Sequence, residues 1–304
     1  MLETVMHKNI KCFICFCMLL ATISNAFAQK KKRLIEITPE IQEKLKKAIP
    51  VKHAKAAKPR KVVVFSKSSG FLHISTSVGN ELLKMMAAET GAFDITFNED
   101  ATSYTDEYLK RFDCIIVNNA THVEKAFKGA NREAFLNFIK NGGSYVGIHA
   151  ASDGGKKDWP EYSKMVGGQF DGHPWNAGGK WAMEVNDTEN PINKPFPEKL
   201  FIFQDEIYRQ SGPYQKSAMH TLLKIDPVND PLRLKEGEKS GKKKVTHYRE
   251  YPISWIKDYG KGKVFYTCFG HRAETYYVPK IADHMLRGIQ WALGDLEVEM
   301  VLGK

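Results

Sequence analysis

The stretch Ser144-Tyr145-Val146-Gly147-Ile148-His149-Ala150-Ala151 is a short apolar run that ends abruptly in a histidine and two small residues. A helix pattern precedes it over residues 131–140, with Phe135, Leu136, Phe138 and Ile139 on its apolar side, and Asn141-Gly142-Gly143 stops that helix. The same alternation recurs on either side. Strand patterns cover residues 61–65, 93–97 and 113–117, and a helix pattern with Val78, Leu82, Leu83, Met85 and Met86 covers residues 76–89. The strand runs are apolar on both faces, which suits strands covered by helices on both sides. Strand–helix alternation of this kind predicts an α/β fold with a mainly parallel central sheet. Residues 153–244 are less regular: Trp, Pro and Gly clusters, short strands at 181–185 and 201–203, and the charged excursion 235–244. Regularity returns with strands at 253–256 and 263–267 and a helix over residues 279–293. No internal repeat appears, so residues 61–296 are read as one domain with insertions, followed by a tail at 297–304.

The formal net charge of +10 is concentrated before that domain. Residues 62–304 hold as many acidic as basic side chains, whereas residues 29–61 are strongly basic. A whole-domain basic footprint for nucleic acid is therefore absent, and no nucleic-acid partner is expected. Within the basic linker, 29–60, Thr38-Pro39-Glu40 reads as N-cap, first position and first-turn acid of a short helix that Pro50 ends. Residues 1–28 combine Lys8 and Lys11, an apolar run over 12–23 and Ala26-Phe27-Ala28. The run is too short to span a bilayer, so it reads as a signal peptide cleaved after Ala28, with a periplasmic or secreted mature chain and no transmembrane segment. Cys114 and Cys268 then remain, both in apolar strand contexts. Buried free thiols are the expected state, and a disulfide between them is left open.

Ligands of an open parallel sheet bind at the carboxyl ends of its strands. The residues that follow the predicted strands include Gly70-Phe71-Leu72-His73, Asn118-Asn119-Ala120-Thr121-His122, His149-Ala150-Ala151-Ser152-Asp153, Gln204-Asp205-Glu206-Ile207-Tyr208 and Phe269-Gly270-His271. Histidine follows four of these five strands. Titratable residues converging on one sheet edge are a functional-site signal. His220, His247 and His284 fall inside strand or helix patterns and read as structural.

At these residues the chain resembles the ThuA-like (trehalose utilisation) family of the class I glutamine amidotransferase-like superfamily. The resemblance rests on Phe71-x-His73, on Gly147 to Asp153, and on Gly167-Gly168-x-Phe170-x-x-His173-Pro174. It continues through Asp205-Glu206-Ile207-Tyr208, Pro252-Ile253-Ser254-Trp255, Gly260 to His271 and Gly288-Ile289-Gln290-Trp291-Ala292. It covers about residues 61–294 and implies a flavodoxin-like three-layer sandwich. One departure matters for chemistry. Amidotransferases of this superfamily carry a cysteine nucleophile on the strand-to-helix turn, and here the turn carries His149. Without a thiolate there, thioester chemistry is argued against. A G-x-S-x-G elbow is absent as well.

Histidines and carboxylates without a nucleophile suit general acid–base work. The family's association with trehalose and keto-sugar use implies a small-molecule carbohydrate partner. The leading expectation is isomerisation or elimination of an oxidised (3-keto) disaccharide or glycoside, with His149, His73, His271 and Glu206 as the catalytic set. Asp153, His173, Asp205, Tyr208, Trp175 and Trp255 are expected to bind substrate. A second option is a divalent metal held by His73, His149, His271 and Glu206, as in a metal-dependent hydrolase; no local ligand spacing supports it, and no cofactor is otherwise implied. A third is a non-catalytic carbohydrate-binding protein. The oligomeric state is left open.

Overall fold

The computed structural model describes residues 33–212, 216–226, 239–240, 243–244 and 250–303. The expected signal segment, the first residues of the basic linker, His247 and most of the charged excursion lie outside them. Thirteen strands are described: β1 (Lys61–Phe65), β2 (Asp94–Phe97), β3 (Cys114–Asn118), β4 (Ser144–Ile148), β5 (Gln169–Phe170), β6 (Trp181–Val185), β7 (Leu200–Phe203), β8 (Gln210–Ser211), β9 (His220–Ile225), β10 (Lys239–Ser240), β11 (Lys243–Lys244), β12 (Tyr251–Tyr259) and β13 (Gly262–Thr267). The helices are α1 (Pro39–Ala48), α2 (Thr76–Thr90), α3 (Asp106–Leu109), α4 (Val123–Ala126), α5 (Ala130–Lys140), α6 (Pro160–Val166) and α7 (Pro279–Leu293).

Nine strands form one sheet in the order β2-β1-β3-β4-β13-β12-β9-β6-β7. The first five run parallel, and β12, β9, β6 and β7 continue the sheet antiparallel. Only β12 and β6 run against the rest, so the sheet is mostly parallel, in a flavodoxin-like arrangement. The irregular middle of the sequence thus supplies an antiparallel extension.

Neighbouring residues of β4 show the two covered faces. The Ser144 hydroxyl donates to the Ala292 carbonyl of α7. The ring of Tyr145, one residue on, meets Phe135 of α5 and Tyr162 of α6. Alternation along a strand sends successive side chains to opposite faces, so the helices lie on both. α7 starts with Pro279 at its first turn and stops at Gly294, whose φ of +81° is left-handed. It buries Ile281, Leu286, Ile289 and Trp291, each worth about 1.5–3 kcal/mol relative to exposure. The linker helix forms as α1. The Thr38 hydroxyl accepts from the Ile41 N–H at 3.3 Å, and Leu45 and Ala48 are buried. Cys114 and Cys268 are buried and free. No helix among the described residues is long and apolar enough to cross a membrane.

Two histidines expected to be structural are so. His220 Nε2 lies 3.0 Å from Asp187 Oδ2, and its Nδ1 accepts from the Val301 N–H, tying down the chain after α7. His284 is fully buried between the rings of Phe196 and Phe265. Its Nδ1–H donates to the Ile192 carbonyl at 3.2 Å, which leaves Nε2 facing the Ser254 hydroxyl at 2.9 Å. Burial pushes its pKa down to about 4.

An unfolded histidine titrates near 6.5. Between about pH 6.5 and 4 the unfolded chain therefore takes up a proton at residue 284 and the folded chain does not, so stability is lost as pH falls through that window. The full shift amounts to about 3 kcal/mol. Urea unfolding followed by circular dichroism at pH 7 and pH 4.5 should show the parent losing more stability than a His284→Gln variant. Identical losses in the two would contradict a neutral buried His284.

Candidate active site

Two loops at the end of the parallel half of the sheet carry backbone conformations that set up the site. After β3, Asn119 and His122 take left-handed conformations, and directly after β4 so does His149, with φ of +48°. Such φ values are uncommon outside glycine and are held only where surrounding structure enforces them. At His149 the enforcing contacts are visible. Its ring is fully buried, and Nδ1–H donates to the Cys268 carbonyl at the end of β13 at 2.7 Å. Its own carbonyl accepts from the Tyr266 hydroxyl at 2.8 Å. A carbonyl can only accept, so Nδ1 carries the proton and Nε2 presents a lone pair. That buried Nε2 has no hydrogen-bond partner. Burial first, then the like charge of His73 and His271, pushes the His149 pKa well below its ordinary value.

Glu206 stands opposite. Its Oε1 lies 3.8 Å from His149 Nε2 and 3.0 Å from His271 Nδ1, and its Oε2 lies 3.5 Å from His173 Nδ1. The His271 contact has ion-pair distance without hydrogen-bond alignment. His73, on the loop between β1 and α2, is buried with Nε2 3.3 Å from the Tyr208 hydroxyl. The rings of His73, His149 and His271 stand nearly perpendicular to one another. One donor atom from each of His73, His149, Glu206 and His271 lies within 4.8 Å of the others. The four residues expected to be catalytic are thus brought together from four separate loops.

Asp205 anchors this assembly. Its carboxylate accepts from the N–H groups of Glu206, Gly270 and Arg272 and from the Thr275 hydroxyl, all at 2.8–3.0 Å. Burial raises its pKa to about 6, against the pull of those donors. The carboxylate is spent on holding the His271 loop, which corrects the expectation that Asp205 contacts substrate. Gly270 in that loop has φ of +129°, and an added Cβ would sit 2.5 Å from the Tyr276 hydroxyl, so glycine is required there. Its carbonyl accepts from Ser75 Oγ and Asn119 Nδ2, joining the loops after β1, β3 and β13.

The other expected binding residues divide. Tyr208 is buried in the cluster, with its ring 4.4 Å from that of His149. His173 reaches the rim half-exposed. Asp153 pairs with Lys156 at 2.6 Å, and no contact ties it to Glu206. Trp175 and Trp255 are corrections. Trp255 is fully buried, stacked on Tyr266 with its indole N–H donating to the Val166 carbonyl. Trp175 is fully buried against Tyr251, and its carbonyl accepts from the Ile207 N–H, so it steadies the strand-like segment carrying Glu206. Neither offers a face to a sugar. The aromatic rings near the rim are Phe71, half-exposed with its centre 4.9 Å from that of His73, and Phe170, 4.3 Å from Tyr208 and stacked on His173. Both lie in the sequence beside site histidines, and that proximity is the signal that could have found them. Surface grooves lined by Arg132, Glu133 and Trp159 or by Arg60 and Lys263 lie elsewhere and carry no histidine.

A family model described as trehalose utilisation, ThuA, matches residues 61–292. The crystal structure of a ThuA-like protein from Bacteroides uniformis superimposes with a TM-score of 0.63 at 26% identity, covering 80% of this chain and 94% of that one. A ThuA-like protein from Parabacteroides merdae gives 0.57 at 19% identity, covering 80% and 93%. No curated protein matches the chain.

The role of Asp205 is open to a stability test. Asp205→Ala leaves buried N–H donors without an acceptor and should cost about 3–5 kcal/mol in urea unfolding. Asp205→Asn keeps one carbonyl oxygen and should cost less, about 1–3 kcal/mol. If both variants matched the parent, the carboxylate would be free for substrate after all.

Proposed function

This chain belongs to the ThuA, trehalose-utilisation, family, and from that premise we propose that it moves a proton at the carbon next to the ketone of an oxidised (3-keto) sugar. The observation that carries the reading is the carboxylate of Glu206 set among His149, His271 and His173 at 3.0–3.8 Å. A carboxylate so placed takes a proton and passes it to imidazole, and imidazole is the side chain best suited to return it near neutrality. In the proposed step the C–H bond next to the ketone breaks and its proton goes to Glu206. The electron pair moves to the ketone oxygen as an enolate. Isomerisation follows if a proton returns at a neighbouring position. Elimination follows if the enolate electrons expel the glycosidic oxygen, which a histidine protonates. His149, with its lone pair on Nε2, shares the proton with Glu206 or accepts from a sugar hydroxyl. Phe71 and Phe170 offer faces for the sugar ring. The signal-like residues 1–28 would place this chemistry outside the cytoplasm.

Proton NMR in D₂O with 3-keto-trehalose and related 3-keto-glycosides tests the proposal. The protein should speed loss of the proton next to the ketone, and Glu206→Gln should slow that loss by about 10²–10⁴-fold. Line broadening of the sugar signals without any exchange or product would instead make the protein a carbohydrate-binding module.

A further inference from the structure

We propose that His73, His149 and His271, with Glu206 Oε1, bind one first-row divalent cation. The argument is geometric. A metal–imidazole bond of about 2.0–2.1 Å places the ring centre about 3.2 Å from the ion, so three imidazoles around one tetrahedral ion have centres about 5 Å apart. The three rings here have centres 4.8, 5.1 and 5.3 Å apart and cross at 81–88°. Donor atoms on a common tetrahedral ion lie about 3.3–3.6 Å from one another. The four here fall within 4.8 Å, so the widest pair closes by about 1 Å as the loops settle on the ion.

His149 shows the second sign. A metal-bound histidine almost always donates its other ring N–H to a carbonyl or carboxylate, which fixes the ring and aims the remaining lone pair at the ion. His149 Nδ1–H does so to the Cys268 carbonyl at 2.7 Å, and its fully buried Nε2 is without a hydrogen-bond partner. A buried polar atom left in that state calls for an explanation. Glu206 divides its oxygens suitably. Oε1 is the one near His149 and His271, while Oε2 is turned toward His173. Three imidazoles and one carboxylate oxygen suit zinc(II) and its first-row neighbours better than magnesium or calcium, which prefer all-oxygen shells.

The inference deepens the proposed function and rests on it only for the ion's use. A cation held by these four residues would have to admit a fifth ligand to supply Lewis-acid polarisation of the ketone oxygen, and Glu206 Oε2, facing His173, would remain to carry the proton. His149 then holds the ion instead of sharing the proton.

The experiment uses the purified chain without a histidine tag and with Cys12, Cys15 and Cys17 replaced by serine, so that no thiolate there competes. After treatment with EDTA, zinc(II) is titrated in by calorimetry and the bound metal is counted by mass spectrometry. One equivalent per chain is expected. His271→Gln and His149→Ala should each weaken binding at least 100-fold, and His122→Ala should leave it unchanged. His271 is partly exposed, so its variant tests the site even where loss of the buried His149 perturbs folding. Cobalt(II) should give the intense visible absorption of a tetrahedral centre in the parent and lose it in His271→Gln. Absence of stoichiometric binding, or binding that survives both cluster substitutions, overturns the site. Undiminished D₂O exchange in the metal-free protein would overturn the ion's part in the reaction and spare the proton-transfer reading. Tight zinc binding without exchange on any keto-sugar would do the reverse.

Discussion

One hydrogen bond, from His149 Nδ1–H to the Cys268 carbonyl at 2.7 Å, governs the chemistry at this sheet edge. It crosses from the end of β4 to the end of β13, adjacent parallel strands paired from Tyr145–Val264 to Ile148–Thr267. The parallel register brings those two strand ends level, so the carbonyl is within reach. The left-handed turn at His149 directs the imidazole toward it. Because the partner is a carbonyl, the ring has no choice of tautomer, and a lone pair faces the cluster with water excluded. The cost of that turn and of burying an imidazole is met by the surrounding sheet and helix packing, as strained positions at functional sites require.

The rest of the site depends on loops being held against that ring. Asp205 grips the Gly270–Thr275 loop by its N–H groups and a hydroxyl. The Gly270 carbonyl ties in Ser75, two residues beyond His73. The Tyr208 N–H donates to Cys268 Sγ. Cys268 is therefore a structural partner, and burial pushes its thiol well above its ordinary pKa, which keeps it in the unreactive form. The sulfur is buried behind the site, and what the site is offered instead is imidazole nitrogen.

Much of this was legible in the sequence. The apolar runs at β1, β3 and β4 and the helix patterns between them carry the parallel half of the fold, because buried parallel strands leave a distinctive signature. The histidines stood out because each follows such a strand. The antiparallel half was harder to read. β12 runs nine residues from Tyr251 to Tyr259, and only its centre shows as a strand pattern. Aromatic residues gave the weakest signal. Trp175 and Trp255 look the same in sequence whether they stack on a sugar or fill a core, and the core claims both. Asp205 and Glu206 illustrate the same limit. Adjacent residues of an extended segment point to opposite sides, so one holds a loop and the other enters the cluster. Nothing in the pair Asp-Glu says which.

The account turns on the state of one ring, and nitrogen-15 NMR of the histidine side chains in metal-free protein reads that state directly. His149, assigned through a His149→Gln variant, should show a protonated Nδ1 and an unprotonated Nε2 at pH 7. It should remain neutral well below the ordinary imidazole pKa. A His149 signal with the proton on Nε2, or one that becomes doubly protonated near pH 6.5, would contradict the fixed lone pair on which both the proton-transfer and the metal assignments rest.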